Sequence, residues 1–413
     1  MTPTLRPLPT ESLPFFFEPV HSEVALRLHR AARSIVAVEE ARQPEREEAF
    51  DPSQLWARSR ALARALAEEG VLGLALPEAY GGVAVGRPDD LDLRALCLTR
   101  ELLAWADGLA DTVFAMQGLG SYPITRFGSE AQRAEWLPPI ARGECLAAFA
   151  ITEAEAGSDV GAMRSQARRD GSGYVLDGEK TFISNAGVAG SYVVFAALEP
   201  GEKRSITAFL VRPEDPGFEF VGALPALGDH PLGTIRFSEL RLGSERRLGE
   251  EGEGLKIALS TLDVFRSTVG AAAVGFARRA LDESVHRARM RRQFGRPIGE
   301  QQLIQGYLAE SAVEVDAARL LVLRAAWIRD TTGARISREA AMAKLFATEI
   351  AQRVIDRAVQ IHGGSGVLRG AVVEQLYREI RALRIYEGTT EIQKLVIART
   401  LLEEARDESS NVS

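Results

Sequence analysis

Near the C-terminus the segment RIYEGTTEIQ sets a carboxylate, Glu387, directly after Ile385 and Tyr386 and before Gly388. A carboxylate facing an apolar pocket can serve as a general base whose proton affinity is tuned by desolvation. Thr390 and Gln393 have the T-x-x-Q spacing of a capping box and predict the start of the last helix. The same residues therefore also read as an ordinary loop-to-helix junction. In FAITEAEAGSD, residues 149–159, Phe149, Ile151 and Thr152 stand at the entry to a strand-rich stretch, and Ala156, Gly157, Ser158 and Asp159 make a small-residue turn. Such a turn exposes N–H groups and hydroxyls to a heterocycle or phosphate; the alternative is a plain Asx or Ser turn. In KTFISNAG, residues 180–187, strand alternation puts Phe182 and Ser184 on one side. An aromatic face beside a hydroxyl suits an isoalloxazine ring, and a core Phe with an exposed Ser is the plainer reading.

Asp263 and Arg266 fall one helical turn apart, either anchoring a polar acyl carrier or forming a surface ion pair. MRRQFGRPIGEQQ, residues 290–302, ends a helix with Arg291, Arg292 and Arg296. Guanidinium forks match a pyrophosphate, and cations also suit a helix C-terminus. QIHGGSG, residues 360–366, closes a helix in glycines that allow close backbone approach or a left-handed cap. No GxGxxG opens a strand–helix turn, so a flavin site has to be built some other way than on a Rossmann unit. Gly173 to Lys180 superficially resembles a P-loop, but Glu179 separates Gly178 from Lys180, and the stretch reads as a hairpin turn.

The elements that position these residues fall into three stretches. Residues 1–145 read as a helical domain. Apolar residues in WARSRALARALAEEGVLGLALPEAYGG keep helical spacing through Leu62, Leu66 and Val71, and Pro77 with Gly81 and Gly82 breaks it. In SEAQRAEWLPPI, Ser129 predicts an N-cap, and Pro138 with Pro139 predicts the helix end. Residues 146–248 alternate short β-branched and aromatic runs with Gly, Pro, Asp and Asn, predicting a small antiparallel, barrel-like β-domain. Residues 249–405 return to long helices, with Leu262, Phe265, Val269, Ala272 and Phe276 on one face, and further helices near 301–330, 337–361, 371–380 and 391–405. Residues 406–413 read as a flexible tail.

The 46% hydrophobic and 26% charged composition is that of an ordinary globular protein, and a net charge of −7 opposes nucleic-acid binding. The two cysteines, Cys97 and Cys145, argue for no disulfide framework and fit a reducing cytoplasm. The five histidines lie in no metal-ligand spacing, so no metal site is expected. No apolar run reaches the roughly 18 residues of a membrane span, and no secretory or transit pattern opens the chain.

In order and spacing, these segments resemble the acyl-CoA dehydrogenase family from about residue 30 to 405, with FAITEAEAGSD similar to its flavin-loop signature and IYEGTTEIQ to its catalytic signature. The resemblance implies an α+β fold with an N-terminal helical domain, a central antiparallel β-domain and a C-terminal four-helix bundle. It implies FAD, with Phe149, Ile151, Thr152 and Ser158 in the flavin loop, Phe182 over the ring and Ser184 near N5. By the same resemblance Arg291, Gln293, Phe294, Gln302, Gln360, Gly363 and Gly364 reach the adenosine diphosphate half of a neighbouring subunit's FAD, and Thr389 and Glu391 touch flavin. Ser158, Asp263, Arg266, Tyr386 and Gly388 surround the acyl-CoA, and Glu387 is the base. The implied reaction removes the pro-R α-proton and the β-hydride to give trans-2-enoyl-CoA, with electrons passed to an electron-transferring flavoprotein. The implied assembly is a homotetramer. Ala154, Phe182 and Gln293 depart from the proline, tryptophan and small hydroxyl residue common at those positions. Phe265 stands where some relatives carry the base, and LADTVFAMQ lacks the arginine of decarboxylating relatives. Same-fold alternatives are an oxygen-using oxidase or monooxygenase and an acyl-carrier-protein dehydrogenase; a flavin-binding DNA-associated stress protein is opposed by the acidic C-terminus.

Overall fold

The computed structural model describes residues 8, 10–41, 51–86 and 90–410. Helices α1 (Pro19–Ala41), α2 (Pro52–Glu68), α3 (Leu93–Ala106), α4 (Gly108–Phe127) and α5 (Glu130–Ala141) come first. Strands β1 (Ala147–Ala150), β2 (Gln166–Asp170), β3 (Gly173–Ser184), β4 (Ser191–Ala197), β5 (Ile206–Val211), β6 (Phe218–Leu224), β7 (Leu232–Leu242) and β8 (Arg247–Leu248) follow. Helix α6 (Gly254–Met290) leads through a small hairpin, β9 (Arg292–Gln293) and β10 (Arg296–Pro297), to α7 (Gln302–Thr332), α8 (Ser337–His362), α9 (Val372–Leu383) and α10 (Thr390–Ser410). The helical, β, helical order matches the sequence reading. Helix α10 continues past residue 405 into the segment read as a tail. The chain divides into two compact units, one of residues 45–92 and 109–265, the other of residues 1–44, 93–108 and 266–413.

In the first unit the sheet runs β6-β7-β3-β2-β4-β5-β8, with β1 added on β4. Tyr174, Leu176, Tyr192, Val194, Phe209, Phe237 and Leu240 form its buried core. Most pairs are antiparallel, but β1 and β2 both run parallel to β4, so the sheet is mixed rather than antiparallel. The 151–165 loop carries the chain back so that β2 starts in the same sense as β1. The turn expected at Gly173–Lys180 is instead strand: the reversal occurs at Gly171 (φ +59), and Gly178 (φ +148) forms a bulge. A Cβ at Gly178 would lie 2.4 Å from Ser165 Oγ, so this position requires glycine.

Two helix ends also differ from expectation. Helix α2 stops before Val71, because Gly70 (φ +69) turns left-handed and Val71 N–H reaches back to Leu66 O at 2.7 Å. Helix α5 continues through Pro138 and Pro139 to Ala141. Both prolines sit in its last turns, and their carbonyls still accept from Arg142 N (3.1 Å) and Glu144 N (3.0 Å). The Ser129 cap is present as a full capping box with Gln132.

In the second unit α6 packs closely at Gly270, where a Cβ would meet Val322 Cγ2 of α7 at 2.9 Å and the Ala343 carbonyl of α8 at 3.2 Å. Two buried carboxylates here are satisfied: Glu101 accepts from Arg278 (2.5 Å) and Arg319 (2.9 Å), and Asp330 accepts the Leu93 and Arg94 N–H groups that open α3. Helix α6 is long and apolar enough to cross a membrane by length and composition alone, and 78% of its most apolar window is buried inside the protein.

Candidate active site

In the sheet unit, two hydrogen bonds hold the 149–153 segment against β3. Thr181 N–H donates to Thr152 O at 3.0 Å, and Lys180 Nζ donates to Ile151 O at 3.3 Å. Lys180 has no exposed surface and pairs with Glu153 at 2.7 Å. Burial pulls Lys180 down to about 8, against the pull of Glu153. Glu153 is held below the usual carboxylate range: burial pushes it up, and Lys180 with the Arg164 N–H outweighs that. The pair fixes one edge of the candidate flavin loop. Beyond it Ala156 is buried, while Gly157 and Ser158 are exposed and a Cβ at Gly157 would face open space.

Phe182 has φ +54 and is 61% exposed, an unusual combination for a strand aromatic. Its neighbours Thr181 and Ile183 are buried, so Phe182 and Ser184 do share the more open side. Ser184 Oγ lies 2.7 Å from His230 Nε2. Phe149 is half-buried with its ring 4.9 Å from that of Phe195, and Ile151 is buried. Phe265 is wholly buried, packed edge-on to Tyr122 at 6.0 Å and close enough to α4 that a Cβ at Gly118 would lie 2.4 Å from it.

In the helical unit, Glu387 occupies the turn between α9 and α10 with φ +52, followed by Gly388 at φ +95. A non-glycine residue there stores about 1–3 kcal/mol and persists only where its surroundings over-determine it. Helix α8 provides those surroundings. The fully buried Lys344 donates to Gly388 O at 2.6 Å, and Glu349 accepts from Arg384 (2.9 Å) and Thr390 Oγ1 (2.6 Å). Gln393 Nε2 adds bonds to Gly388 O (2.8 Å) and Glu387 O (3.3 Å). The helix cap is Thr389, whose Oγ1 accepts from Ile392 N–H at 3.3 Å; Thr390 was expected to cap but turns to Glu349. Tyr386 is half-buried beside Glu387, Arg266 on α6 is buried, and Glu391 is exposed. Asp263, on the same helix α6, is half-buried.

The β9–β10 hairpin presents Arg291, Gln293 and Phe294 to the outside, with Phe294 94% exposed at φ +53. Gln302 opens α7 nearby and is exposed. Arg287 Nη2 bonds His362 O at 3.3 Å, linking the end of α6 to the Gln360–Gly364 turn. Cβ atoms at Gly363 and Gly364 would face open space. Phe182, Phe294 and Glu387 are three of the five described non-glycine residues with positive φ, so backbone strain concentrates at residues already marked by the sequence. Exposed aromatic faces, open glycine turns and arginine forks fit a flat ring and a pyrophosphate.

The N-terminal, middle and C-terminal domains of acyl-CoA dehydrogenases match residues 23–144, 148–240 and 252–402. The chain belongs to the acyl-CoA dehydrogenase family. It is 39% identical over 342 residues to a probable acyl-CoA dehydrogenase of Bacillus subtilis, covering 82% of this chain and 88% of that protein. An acyl-CoA dehydrogenase of Bacillus anthracis solved in complex with FAD superposes with a TM-score of 0.85 at 31% identity, over 95% of this chain and 70% of that one. A chain of a structure described as the electron transferring flavoprotein of Acidaminococcus fermentans gives a TM-score of 0.85 at 34% identity, over 94% and 98% of the two chains. This acyl-CoA dehydrogenase family member is therefore an FAD-dependent oxidoreductase.

Sequence reasoning did not single out Lys344, Glu349, His230 or the Lys180–Glu153 pair. Lys344 had a readable signal: Ala340, Ala341, Ala347 and Thr348, its neighbours at helical spacing, are all buried, so a lysine sits on an apolar stripe. His230 and Glu153 meet their partners only through the folded sheet, and local pattern carries no sign of that.

Proposed function

We propose that the protein dehydrogenates an acyl-CoA thioester to the trans-2-enoyl thioester, with Glu387 removing the α-proton. Bound FAD supplies the acceptor for the β-hydride. Phe149, Ile151, Thr152, Ser158, Phe182 and Ser184, with Thr389 and Glu391, hold the flavin end. Arg291, Gln293, Phe294, Gln302, Gln360, Gly363 and Gly364 take the adenosine diphosphate end of a neighbouring subunit's cofactor, which requires at least a dimer and, by family resemblance, a homotetramer. Ser158, Asp263, Arg266, Tyr386 and Gly388 orient the acyl-CoA. An electron-transferring flavoprotein is the proposed electron acceptor and the cytoplasm the proposed location.

The observation that carries this reading is the strained, multiply anchored turn that presents Glu387, together with a phenylalanine at the rival base position. A thioester α-proton is weakly acidic, so abstraction demands a base fixed in place rather than one that must be recruited. Anaerobic addition of short, medium, branched, cyclic and carrier-bound acyl thioesters to the yellow holoenzyme tests it. Flavin bleaching with enoyl product supports the proposal; no bleaching by any thioester overturns it.

A further inference from the structure

Lys344 lies on α8 with no exposed surface, among the buried Ala340, Ala341, Ala343, Ala347 and Thr348. Taking an ammonium out of water costs several kcal/mol, so packing alone favours an apolar residue at this position. The hydrogen bond to Gly388 O (2.6 Å) does not by itself require a charge, because neutral Gln393 already donates to the same carbonyl at 2.8 Å. The charge has a different counterpart. The ionisable groups acting on the ammonium are Glu387 from the α9–α10 turn, Arg266 from α6, Glu349 from α8 itself and Glu391 from α10, with Glu387 the strongest. Glu349 is already engaged by Arg384 and Thr390, and Glu391 is exposed to screening water.

We propose that Lys344 is a positioning residue for proton abstraction: its buried ammonium locks the Gly388 carbonyl of the left-handed turn and sets a positive charge beside the adjoining Glu387 carboxyl. This rests on Glu387 being the base. Burial pulls the Lys344 ammonium down to about 8, while Glu387 pulls it back up. The ammonium is thus charged through neutral pH. The electrostatic help is reciprocal: whatever Glu387 does for the lysine proton, the lysine does for the carboxylate.

The test is the pH profile of the second-order rate constant for anaerobic flavin bleaching by a saturated acyl-CoA, measured on FAD-loaded wild type, Lys344→Met, Lys344→Gln, Lys344→Arg and Glu387→Gln. Loss of the charge moves the acid limb to higher pH by about one unit or more in both neutral variants, the scale expected for removing an opposite charge from a carboxylate's surroundings. Lys344→Arg retains the wild-type limb. Lys344→Gln keeps a neutral donor to Gly388 O, so it carries the test if Lys344→Met does not fold. A wild-type acid limb in either neutral variant overturns the proposal, even if melting temperature falls, because that pattern is purely structural. Glu387→Gln separates the two levels: its inactivity leaves the base assignment standing when Lys344 fails, whereas near-normal bleaching overturns the base assignment itself.

Discussion

Replacing Gly388 by alanine perturbs the turn that carries the proposed base, Glu387, at its most constrained point. The residue has φ +95, and a Cβ there would lie 2.5 Å from Gln393 Nε2, the far end of a flexible side chain. The amide of Gln393 must therefore swing away, and its bonds to Gly388 O (2.8 Å) and Glu387 O (3.3 Å) are lost. Left-handed backbone costs an L-residue about 1–2 kcal/mol, and a lost neutral hydrogen bond about 1 kcal/mol more. A second strained residue beside Glu387 (φ +52) gives the turn reason to relax. A base displaced by about 1 Å loses roughly 100-fold in rate. Gly388→Ala is thus expected to lower the anaerobic bleaching rate about 100-fold while FAD stays bound, because Thr389 and Glu391 are only two of the residues proposed to hold it. Stopped-flow absorbance at the flavin band reads the rate, and the same spectrum reads cofactor content. A variant bleaching within threefold of wild type refutes the claim that turn geometry sets the base.

Other perturbations separate fold from function. Phe182→Gly relieves a left-handed phenylalanine (φ +54) yet removes an exposed aromatic face, so the apoprotein should melt no lower while FAD binds about tenfold more weakly; flavin fluorescence titration checks this. Lys180→Met leaves Glu153 buried without its cation and should cost about 3–5 kcal/mol in urea unfolding, with release of the loop seen as faster hydrogen exchange at 151–165. For Lys344, a folded value of about 8 lies below the ordinary lysine value, so the unfolded chain holds more protons between these limits. Stability therefore rises with pH across that window, and Lys344→Met should lose about 2 kcal/mol of the rise between pH 8 and 9.5 when urea midpoints are compared.

The element order was readable because it rests on periodicity and punctuation: the helices expected near 301–330, 337–361, 371–380 and 391–405 are α7 to α10 within a few residues. Helix ends were less readable where one glycine or proline could act in two ways. Gly70 stopped α2 by adopting a left-handed cap, and Pro138 and Pro139 did not stop α5, because only the N–H groups of its last turns were lost. The parallel placement of β1 and β2 on β4 is non-local pairing that no local pattern encodes. At the site, Glu387, Phe182 and the glycine turns were visible as residue types at telling positions. Their supports were less so: Lys344 and Glu349 reach the 384–390 turn only after α8 packs, and the T-x-x-Q spacing picked out Gln393 but pointed to the wrong threonine as cap.

The most direct measurement is anaerobic bleaching of Glu387→Gln holoenzyme by the best acyl-CoA substrate. Glutamine keeps the size of the side chain and removes the base, so the variant should retain FAD, bind the thioester with a perturbed flavin spectrum, and bleach slower than wild type by several orders of magnitude. Bleaching at a near-normal rate would contradict the assignment of Glu387 as the group that takes the α-proton.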